Sequence, residues 1–289
     1  MAVTAAMVKE LRELTGLGMM DCKKALTESD GDMNLAIESL RRNSAVKAAK
    51  KADRTASEGL LGVRVADDGS YAVLVEVNIE TDFAARDESF AAFVRRVRDV
   101  AFEKRTSDLA ALLAGGLDAE REKLVQSIGE NVSVRRIALL EAADGKVASY
   151  LHADNRKAAL VALVGGDDEL GRDVAMHVTA SKPMVVAGAD VAPDIVETER
   201  EIYAAQAQDS GKPADIIAKI VEGRVRKFLA EVSLLEQPFV KDPNTRVGQL
   251  LNQKKARCTG FVRYEVGEGI DKLETDFAAE VAARVRGKG

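Results

Sequence analysis

Apolar residues recur at helical spacing at the start of the chain. Val8, Leu11 and Leu14 are spaced three residues apart, and we expect them to share one packing face of a helix that Thr4 caps. Two further short helical patterns follow, the second capped by Asp32. The sequence therefore predicts three short helices within about forty residues, a bundle too small to be very stable alone.

Strand patterns replace the helical ones after this bundle. Apolar, β-branched runs at residues 58–66 and 71–78 precede a helical pattern. The same order of strand, strand and helix returns between residues 146 and 180, and a last strand is predicted at residues 260–266. This recurrence predicts two similar α+β subdomains that share one core.

The pattern is purely helical between residues 193 and 232. A first leg bears Ile195, Ile202, Tyr203 and Gln206. Gly211-Lys212-Pro213 then reverses the chain, and residues 217–232 carry an apolar stripe on the return leg. Each leg is otherwise charged. We therefore expect an antiparallel hairpin whose legs pack chiefly on each other and project from the body.

Composition indicates a folded chain of several compact units. The 289 residues are 46% hydrophobic and only 4% aromatic, so closely packed helices should supply much of the fold. Cys22 and Cys258 suggest no disulfide framework, and no apolar stretch reaches the ~20 residues of a membrane span. We expect a cytoplasmic protein that does not contact a membrane.

The charge balance argues against a general affinity for nucleic acid. The net charge is −5, whereas such an affinity requires a cationic face. A basic connector after the third helix is the exception, with Lys47, Lys50, Lys51 and Arg54. A solvated linker is the plainer interpretation, and an RNA-binding or other protein-interaction module that uses this connector is the alternative function.

Residue patterns typical of catalytic sites are missing. His152 and His177 are the two histidines, and neither has a second metal-type ligand at useful spacing. Serine-nucleophile, zinc-protease and phosphate-loop motifs do not occur, and the carboxylates are scattered over charged helix faces. We therefore expect no metal, no cofactor, no nucleotide site and no enzyme activity in this chain.

A hexapeptide at residues 80–85 occurs a second time, letter for letter, at residues 274–279. The first copy stands between a strand and a helix, where connecting segments present side chains outward. The second lies inside a helical pattern of its own. Two interpretations of the first copy stay open. Either Asp82 caps the helix and Phe83 fills the core, or a rigid strand end presents a carboxylate and an aromatic wedge to a partner.

Several separated segments resemble the bacterial elongation factor Ts family. The resemblance runs in order along essentially the whole chain, which is far more specific than one motif. Its segments are LRELTGLGMMDCKKAL at residues 11–26, EVNIETDF at 76–83, SKP at 181–183, SGKP at 210–213, VEGR at 221–224, QPFV at 237–240 and FVRYEVGEG at 261–269.

The resemblance implies an α+β fold in several parts. The family architecture has an N-terminal three-helix domain similar to ubiquitin-associated domains, a two-part α+β core, a protruding antiparallel helical hairpin and a C-terminal helical module. On this chain the parts correspond to residues 1–54 for the N-terminal domain with its connector, 55–143 for the first core subdomain, 144–190 with 233–266 for the second, 191–232 for the coiled-coil hairpin and 267–289 for the C-terminal module.

The resemblance also implies a function and a partner. Family members are guanine-nucleotide exchange factors for elongation factor Tu: they bind its GDP form, displace Mg²⁺ and release GDP so that GTP can rebind. The loop credited with moving the magnesium corresponds to Thr81, Asp82, Phe83 and Ala84. Further contacts with the GDP-bound or nucleotide-free partner are expected from Met19, Met20, Lys23 and His152.

Overall fold

Helices cover the outer faces of two antiparallel sheets. The computed structural model describes residues 3–208 and 213–271 of the chain. Along these residues come three helices, a first sheet with its helices, a second sheet with its helix, and a helical pair that precedes the last strand. This arrangement confirms the predicted α+β class.

The first three helices form the small bundle that the sequence predicts. The Thr4 hydroxyl accepts a hydrogen bond from the Met7 amide and the Asp32 carboxylate accepts one from Leu35, so both predicted caps are confirmed. The helices are α1 (Ala5–Thr15), α2 (Met19–Glu28) and α3 (Met33–Ala49).

One predicted core residue of the bundle is exposed instead. Val8 and Leu11 are buried, whereas Leu14 is 61% exposed. An α-helix has about 3.6 residues per turn, so each step of three falls about 60° short of a full turn. Two steps carry Leu14 about 120° away from Val8 and off the packing face.

The first sheet has the order β1-β2-β3, and both strand pairs are antiparallel. Side chains of the central strand are buried along almost its whole length. The strands are β1 (Glu58–Val65), β2 (Tyr71–Ile79) and β3 (Val132–Glu141). Between β2 and β3 lie α4 (Asp82–Ala85), α5 (Glu88–Glu103), α6 (Leu109–Leu112) and α7 (Asp118–Ile128).

The second sheet has the order β4-β5-β8 and is also antiparallel. The predicted recurrence of strand, strand and helix is observed here as β4, β5 and α8. The elements are β4 (Lys146–Leu151), β5 (Lys157–Val164), α8 (Asp168–Ser181), a short ribbon of β6 (Pro238–Phe239) and β7 (Asp242–Arg246), α11 (Val247–Gln253) and β8 (Arg257–Glu265).

The two sheets pack face to face and share an apolar core. Leu61 and Leu74 of the first sheet belong to the same buried cluster as Val147 and Leu160 of the second. The outer face of the first sheet packs against α5 and α7, and that of the second against α8 and α11. The order of layers is therefore helix, sheet, sheet, helix.

A buried carboxylate joins the two sheets. Glu76 in β2 accepts hydrogen bonds from Arg135 (3.1 Å), Arg136 (2.5 Å) and the Gly267 amide (2.9 Å), and Arg136 also stacks on the ring of Tyr264 in β8. Burial raises the pKa of Glu76, but these hydrogen bonds outweigh it and the net pKa is lowered. The carboxylate therefore stays ionised and links the halves.

The helices α9 (Pro193–Gln208) and α10 (Ala214–Val232) pack against each other. Because only a short connection separates them, they run antiparallel, as predicted. Ile195 and Ile202 are 36% and 44% exposed, so the packing face expected on α9 is partly wrong. The apolar seam consists of Val196, Tyr203, Ala204 and Ala207 with Ile217, Val221, Val225 and Leu229.

Some predictions fall outside the described residues. These are the second hexapeptide copy at 274–279, most of the C-terminal module at 267–289, and Gly211 and Lys212 of the hairpin turn. The subdomain boundaries drawn from the sequence stay predictions. Among the helices of residues 3–208 and 213–271, none has the length and apolar character needed to cross a membrane.

Candidate partner-binding surface

The loop after β2 is built around one helical turn. Thr81 caps α4, because its hydroxyl accepts a hydrogen bond from the Ala84 amide at 3.2 Å. Asp82 is the first residue of that turn, and the longer helix α5 is capped by Asp87. The interpretation of Asp82 as the helix cap is therefore wrong, since α4 intervenes between β2 and α5.

Phe83 points its ring into solvent. Its exposed fraction is 80%, the largest among the exposed large apolar side chains of the described residues. The next two residues face inward instead: Ala85 is 5% exposed and Ala84 packs against the core of the first sheet. The idea that Phe83 fills the core is wrong, because the two alanines occupy that position.

Asp82 lies beside this ring in an exposed ion pair. Its carboxylate is 2.9 Å from the guanidinium of Arg86, one turn further along. Exposed pairs of this kind contribute only about 0.2–1 kcal/mol. The carboxylate of Asp82 can therefore exchange Arg86 for a group of a binding partner at small cost.

The segment after α7 holds the base of the loop. Glu130 accepts hydrogen bonds from the amide and the hydroxyl of Thr81, at 3.0 and 2.8 Å. The Asn131 amide donates to Glu80 at 2.5 Å, and Arg54 pairs with Glu80 at 3.6 Å. Phe83 is thus carried on a backbone that is fixed from outside the loop.

A second exposed apolar surface lies at the start of α2. Met19 and Met20 are 58% and 78% exposed, and Lys23 is exposed one turn later. Leu14, misassigned to the core from its spacing, is a further exposed apolar side chain of this bundle. Methionine side chains adapt readily to an irregular partner surface, so this region suits protein recognition.

Asp21 fixes α2 to the rest of the molecule. Its carboxylate accepts from Lys47 of α3 at 3.3 Å and from Gln126 of α7 at 3.2 Å. Ser44 of α3 also bonds to Gln126. The exposed methionines therefore keep a defined position relative to α7, and this helix leads directly to Glu130.

His152 lies in the turn between β4 and β5 and is about half exposed. Its Nδ1 is 2.9 Å from the Asp154 carboxylate. Burial raises the pKa of Asp154, but hydrogen bonds from the Arg156 amide and the His152 ring lower it by more, so the net pKa is lowered. Because an ionised carboxylate only accepts, Nδ1 of His152 carries a proton and donates it to Asp154, which leaves the Nε2 edge of the ring facing away from this contact.

This turn is tied to the same end of the first sheet as the Phe83 loop. Arg156 lies 2.5 Å from Glu58, and the Leu61 amide donates to the Asn155 carbonyl. Glu58 is directly opposite Ile79 in the register of β1 and β2. The three predicted regions are therefore brought toward one end of the molecule through intermediate residues.

A cavity of about 630 Å³ lies at the opposite end of the first sheet. It is bordered by the β1–β2 turn near Gly69 and by the start of α8 near Asp168. Its lining carries charges of both signs, including Lys146, Asp144 and Arg172. None of the predicted contact residues borders this cavity.

The basic connector is largely committed to internal contacts. Lys47 pairs with Asp21 at 3.3 Å, Lys51 donates to the Gly129 carbonyl, and Arg54 pairs with Glu80 at 3.6 Å. A nucleic-acid surface would need these cations for phosphate groups. The RNA-binding alternative stays a prediction that no contact of the connector favours.

The second histidine has a structural environment. His177 is buried, its Nδ1 accepts from the Val240 amide at 3.2 Å, and its Nε2 donates to Gln237 at 2.9 Å. Burial lowers its pKa, so the ring is neutral. Within residues 3–208 and 213–271, no group of three or more histidine, cysteine or acidic side chains is placed to hold a metal ion.

Known proteins that are similar in sequence indicate the family of this chain. The family described as elongation factor TS matches residues 80–268. The chain belongs to the elongation factor Ts family. The elongation factor Ts of Saccharophagus degradans is 58% identical over 285 residues, which are 99% of this chain and 98% of that protein. The elongation factor Ts of Hahella chejuensis is 57% identical over 286 residues, 99% of each chain.

Membership of the elongation factor Ts family identifies the protein as a translation elongation factor. The family match begins at Glu80, the first residue of the exposed loop, and it includes the His152 turn. The nearly full-length relatives also cover the α2 surface, because they align with 99% of this chain. Each candidate contact region therefore lies in the part of the chain that aligns with these relatives.

Proposed function

We propose that this protein is a guanine-nucleotide exchange factor for elongation factor Tu. The observation that carries the proposal is the 80% exposure of Phe83 on a loop fixed by Glu130 and Glu80, in a chain of this family. The protein binds the GDP form of its partner, displaces Mg²⁺ and releases GDP so that GTP can rebind. No covalent bond is made or broken, so the protein is not an enzyme in the usual sense.

Phe83 acts as a wedge in this mechanism. A GTPase holds its nucleotide through loop amides, a lysine and a bridging Mg²⁺, which is the largest local charge. Burying an aromatic side chain removes about 150–250 Å² from water, at about 25 cal/mol per Å². This provides about 4–6 kcal/mol at most to displace the elements that hold the ion, and all the nucleotide contacts weaken together.

The remaining surfaces divide the work with this loop. Met19, Met20, Lys23 and His152 supply docking contacts on the GTPase. Asp82 exchanges its exposed pair with Arg86 for donors that the partner presents, in charge-assisted hydrogen bonds. Docking therefore sets the affinity, whereas insertion of Phe83 sets the rate of nucleotide release.

Thermodynamic linkage fixes the consequence for the complex. If the factor weakens GDP binding by a given ratio, GDP weakens the binding of the factor by the same ratio. Binding of GTP to the nucleotide-free complex then releases the factor by the same rule. The cycle needs no nucleotide site on this chain.

Truncation of the wedge tests the proposal. We expect Phe83→Ala to lower the stimulated rate of GDP release by at least about 10-fold, because centrally placed aromatic anchors are worth 2 kcal/mol or more. Phe83→Leu, which keeps part of the apolar volume, should be intermediate. The measurement is stopped-flow release of a fluorescent GDP from elongation factor Tu at saturating factor.

A matched truncation serves as the control. Ile202→Ala removes another exposed apolar side chain, 44% exposed on α9, and should leave the rate unchanged. Circular dichroism should show the same melting temperature for all three variants and the wild type. Wild-type stimulation by Phe83→Ala would remove the wedge role, and no stimulation by the wild type would overturn the proposed function.

A further inference from the structure

Glu130 holds the Phe83 loop from a distant part of the chain. It lies 49 residues after Thr81, just past the end of α7. Its two carboxylate oxygens have separate tasks: Oε2 accepts from the Thr81 amide at 3.0 Å and Oε1 accepts from the Thr81 hydroxyl at 2.8 Å. One side chain therefore accepts from both hydrogen-bond donors of Thr81.

This contact also fixes the direction of the Thr81 hydroxyl. A hydroxyl has one proton to donate and two lone pairs that accept. Because Glu130 takes the proton, the lone pairs remain for the Ala84 amide, which donates to the same oxygen at 3.2 Å. Glu130 thus reinforces the cap of α4, the short helix that carries Phe83.

The mounting of α7 relates this loop to the exposed methionines. Gln126, near the end of α7, donates to Asp21 of α2 at 3.2 Å. Glu130 follows the same helix by two residues after Ile128. The C-terminal end of α7 therefore contacts both regions: Gln126 bonds to α2, and Glu130 bonds to the loop that carries Phe83.

We propose that Glu130 is a positioning residue for nucleotide exchange, an inference that rests on the proposed function. Without its carboxylate, α4 keeps its own backbone bonds, but the loop samples orientations in which Phe83 misses its target. The fraction of correctly oriented loops limits the rate in the complex. The docking contacts of α2 and His152 are unaffected.

The kinetic signature separates positioning from docking. We expect Glu130→Ala to lower the saturating rate of GDP release about 5- to 10-fold, while the half-saturating concentration of factor changes less than about 2-fold. Glu130→Gln keeps one acceptor and should fall between this variant and the wild type. Glu103→Ala, which removes an exposed carboxylate at the end of α5, is the matched control and should behave as the wild type.

Variants of the other partner provide an independent check. Thr81→Val keeps the shape of the side chain but removes the hydroxyl, so it should reproduce part of the Glu130→Ala loss. Thr81→Ser restores the hydroxyl and should recover most of the rate. If Glu130→Ala does not fold, Glu130→Gln decides the proposal, because a saturating rate equal to that of the wild type would overturn it.

A tryptophan probe reports the orientation of the loop directly. The chain contains no tryptophan, so Phe83→Trp introduces a single tryptophan at the tip, whose emission can be excited selectively. We expect Glu130→Ala in this background to increase the amplitude of nanosecond anisotropy decay, whereas Glu103→Ala should not. A purely structural role of Glu130 would lower the melting temperature without altering the motion of the folded loop.

The outcomes distinguish the two proposals. Failure of the wild type to stimulate GDP release overturns the proposed function, and this inference with it. Stimulation by the wild type that is lost in Phe83→Ala but unchanged in Glu130→Ala and Thr81→Val overturns the positioning role alone. A rise in the half-saturating concentration at an unchanged saturating rate also overturns it, because Glu130 would then serve docking.

Discussion

The two halves of the molecule, one built on each three-stranded sheet, connect a strand to a helix in different ways. In each, an antiparallel strand pair leads into a helix capped by an aspartate, Asp87 for α5 and Asp167 for α8. In the first half, residues 80–87 form the connection and include a helical turn. In the second, two glycines between Val164 and Asp167 complete it.

This difference shows which features of the strand-to-helix connection the fold requires. The second half passes from strand to helix with no side chain at its tip, so the fold does not need an aromatic residue there. The first half spends extra residues on α4 and leaves Phe83 80% exposed. The longer connection is consistent with the partner-binding role proposed for Phe83.

The largest effect is expected in the second half. Gly165 has a φ of +77°, and a Cβ there would lie 2.3 Å from the Lys255 carbonyl oxygen. We expect Gly165→Ala to lower the free energy of unfolding by about 2–4 kcal/mol through strain and overlap. Gly223→Ala in α10, where a Cβ meets nothing within 4 Å, is the control and should stabilise by up to about 1 kcal/mol. Equal midpoints of urea denaturation for Gly165→Ala and the wild type would contradict the close approach of the backbone at Gly165.

An intermediate effect is expected from acid. Burial raises the pKa of Glu265, but hydrogen bonds from Lys182 and Arg263 lower it to about 2, from an ordinary value of 4.5. A carboxyl with a lowered pKa stabilises the folded state above its unfolded pKa and ceases to do so as pH falls through the folded value. The free energy of unfolding should therefore decline between about pH 4.5 and pH 2.

A charge-neutral variant sharpens this acid prediction. Glu265→Gln should be less stable than the wild type at pH 7, and the two denaturation curves should converge toward pH 2. The measurement is urea denaturation followed by circular dichroism across this range. If the difference in the free energy of unfolding between the wild type and Glu265→Gln stayed constant across this pH range, Glu265 would not be the cause of the lost stability.

The smallest effect compares the two helix caps. Asp87 accepts from the Ser89 amide and Asp167 from the Leu170 amide, both at 2.8 Å. Because each carboxylate satisfies one amide of the first helical turn, Asp87→Ala and Asp167→Ala should lower the melting temperature by a similar small amount. A much larger loss for Asp87→Ala would mean that the connection with α4 also stabilises the first half, which would weaken the comparison.

Local patterns predict much of this fold. Strands β1, β2, β4, β5 and β8, the caps by Thr4 and Asp32 and the helical hairpin follow from short-range spacing and turn chemistry, and the structure contains them. The strand β3, which completes the first sheet, was not predicted. Leu14 was misassigned because steps of three residues drift around a helix. The sequence leaves two interpretations of Asp82 open because it gives little sign of a single helical turn before α5.

The candidate site was predictable only in part. Phe83 could be named from its place between a strand and a helix, but its exposure depends on two alanines that reach the core in its stead. Glu130 could not be found, because its bonds to Thr81 join residues 49 positions apart. The sequence also cannot reveal that Asp21 and Gln126 fix α2 to α7, since that contact spans 105 positions.

The hydrogen bonds to Glu76 constrain the order in which the chain folds during its synthesis. The hydrogen bond from the Gly267 amide closes a loop of 191 positions, so one donor for this buried charge is synthesised long after the strand that contains it. A nascent chain on the ribosome can assemble the first sheet with its arginines, but the charge stays incompletely satisfied until the last strand has emerged. For a translation factor, completion of its own core thus waits for nearly the whole of its own translation.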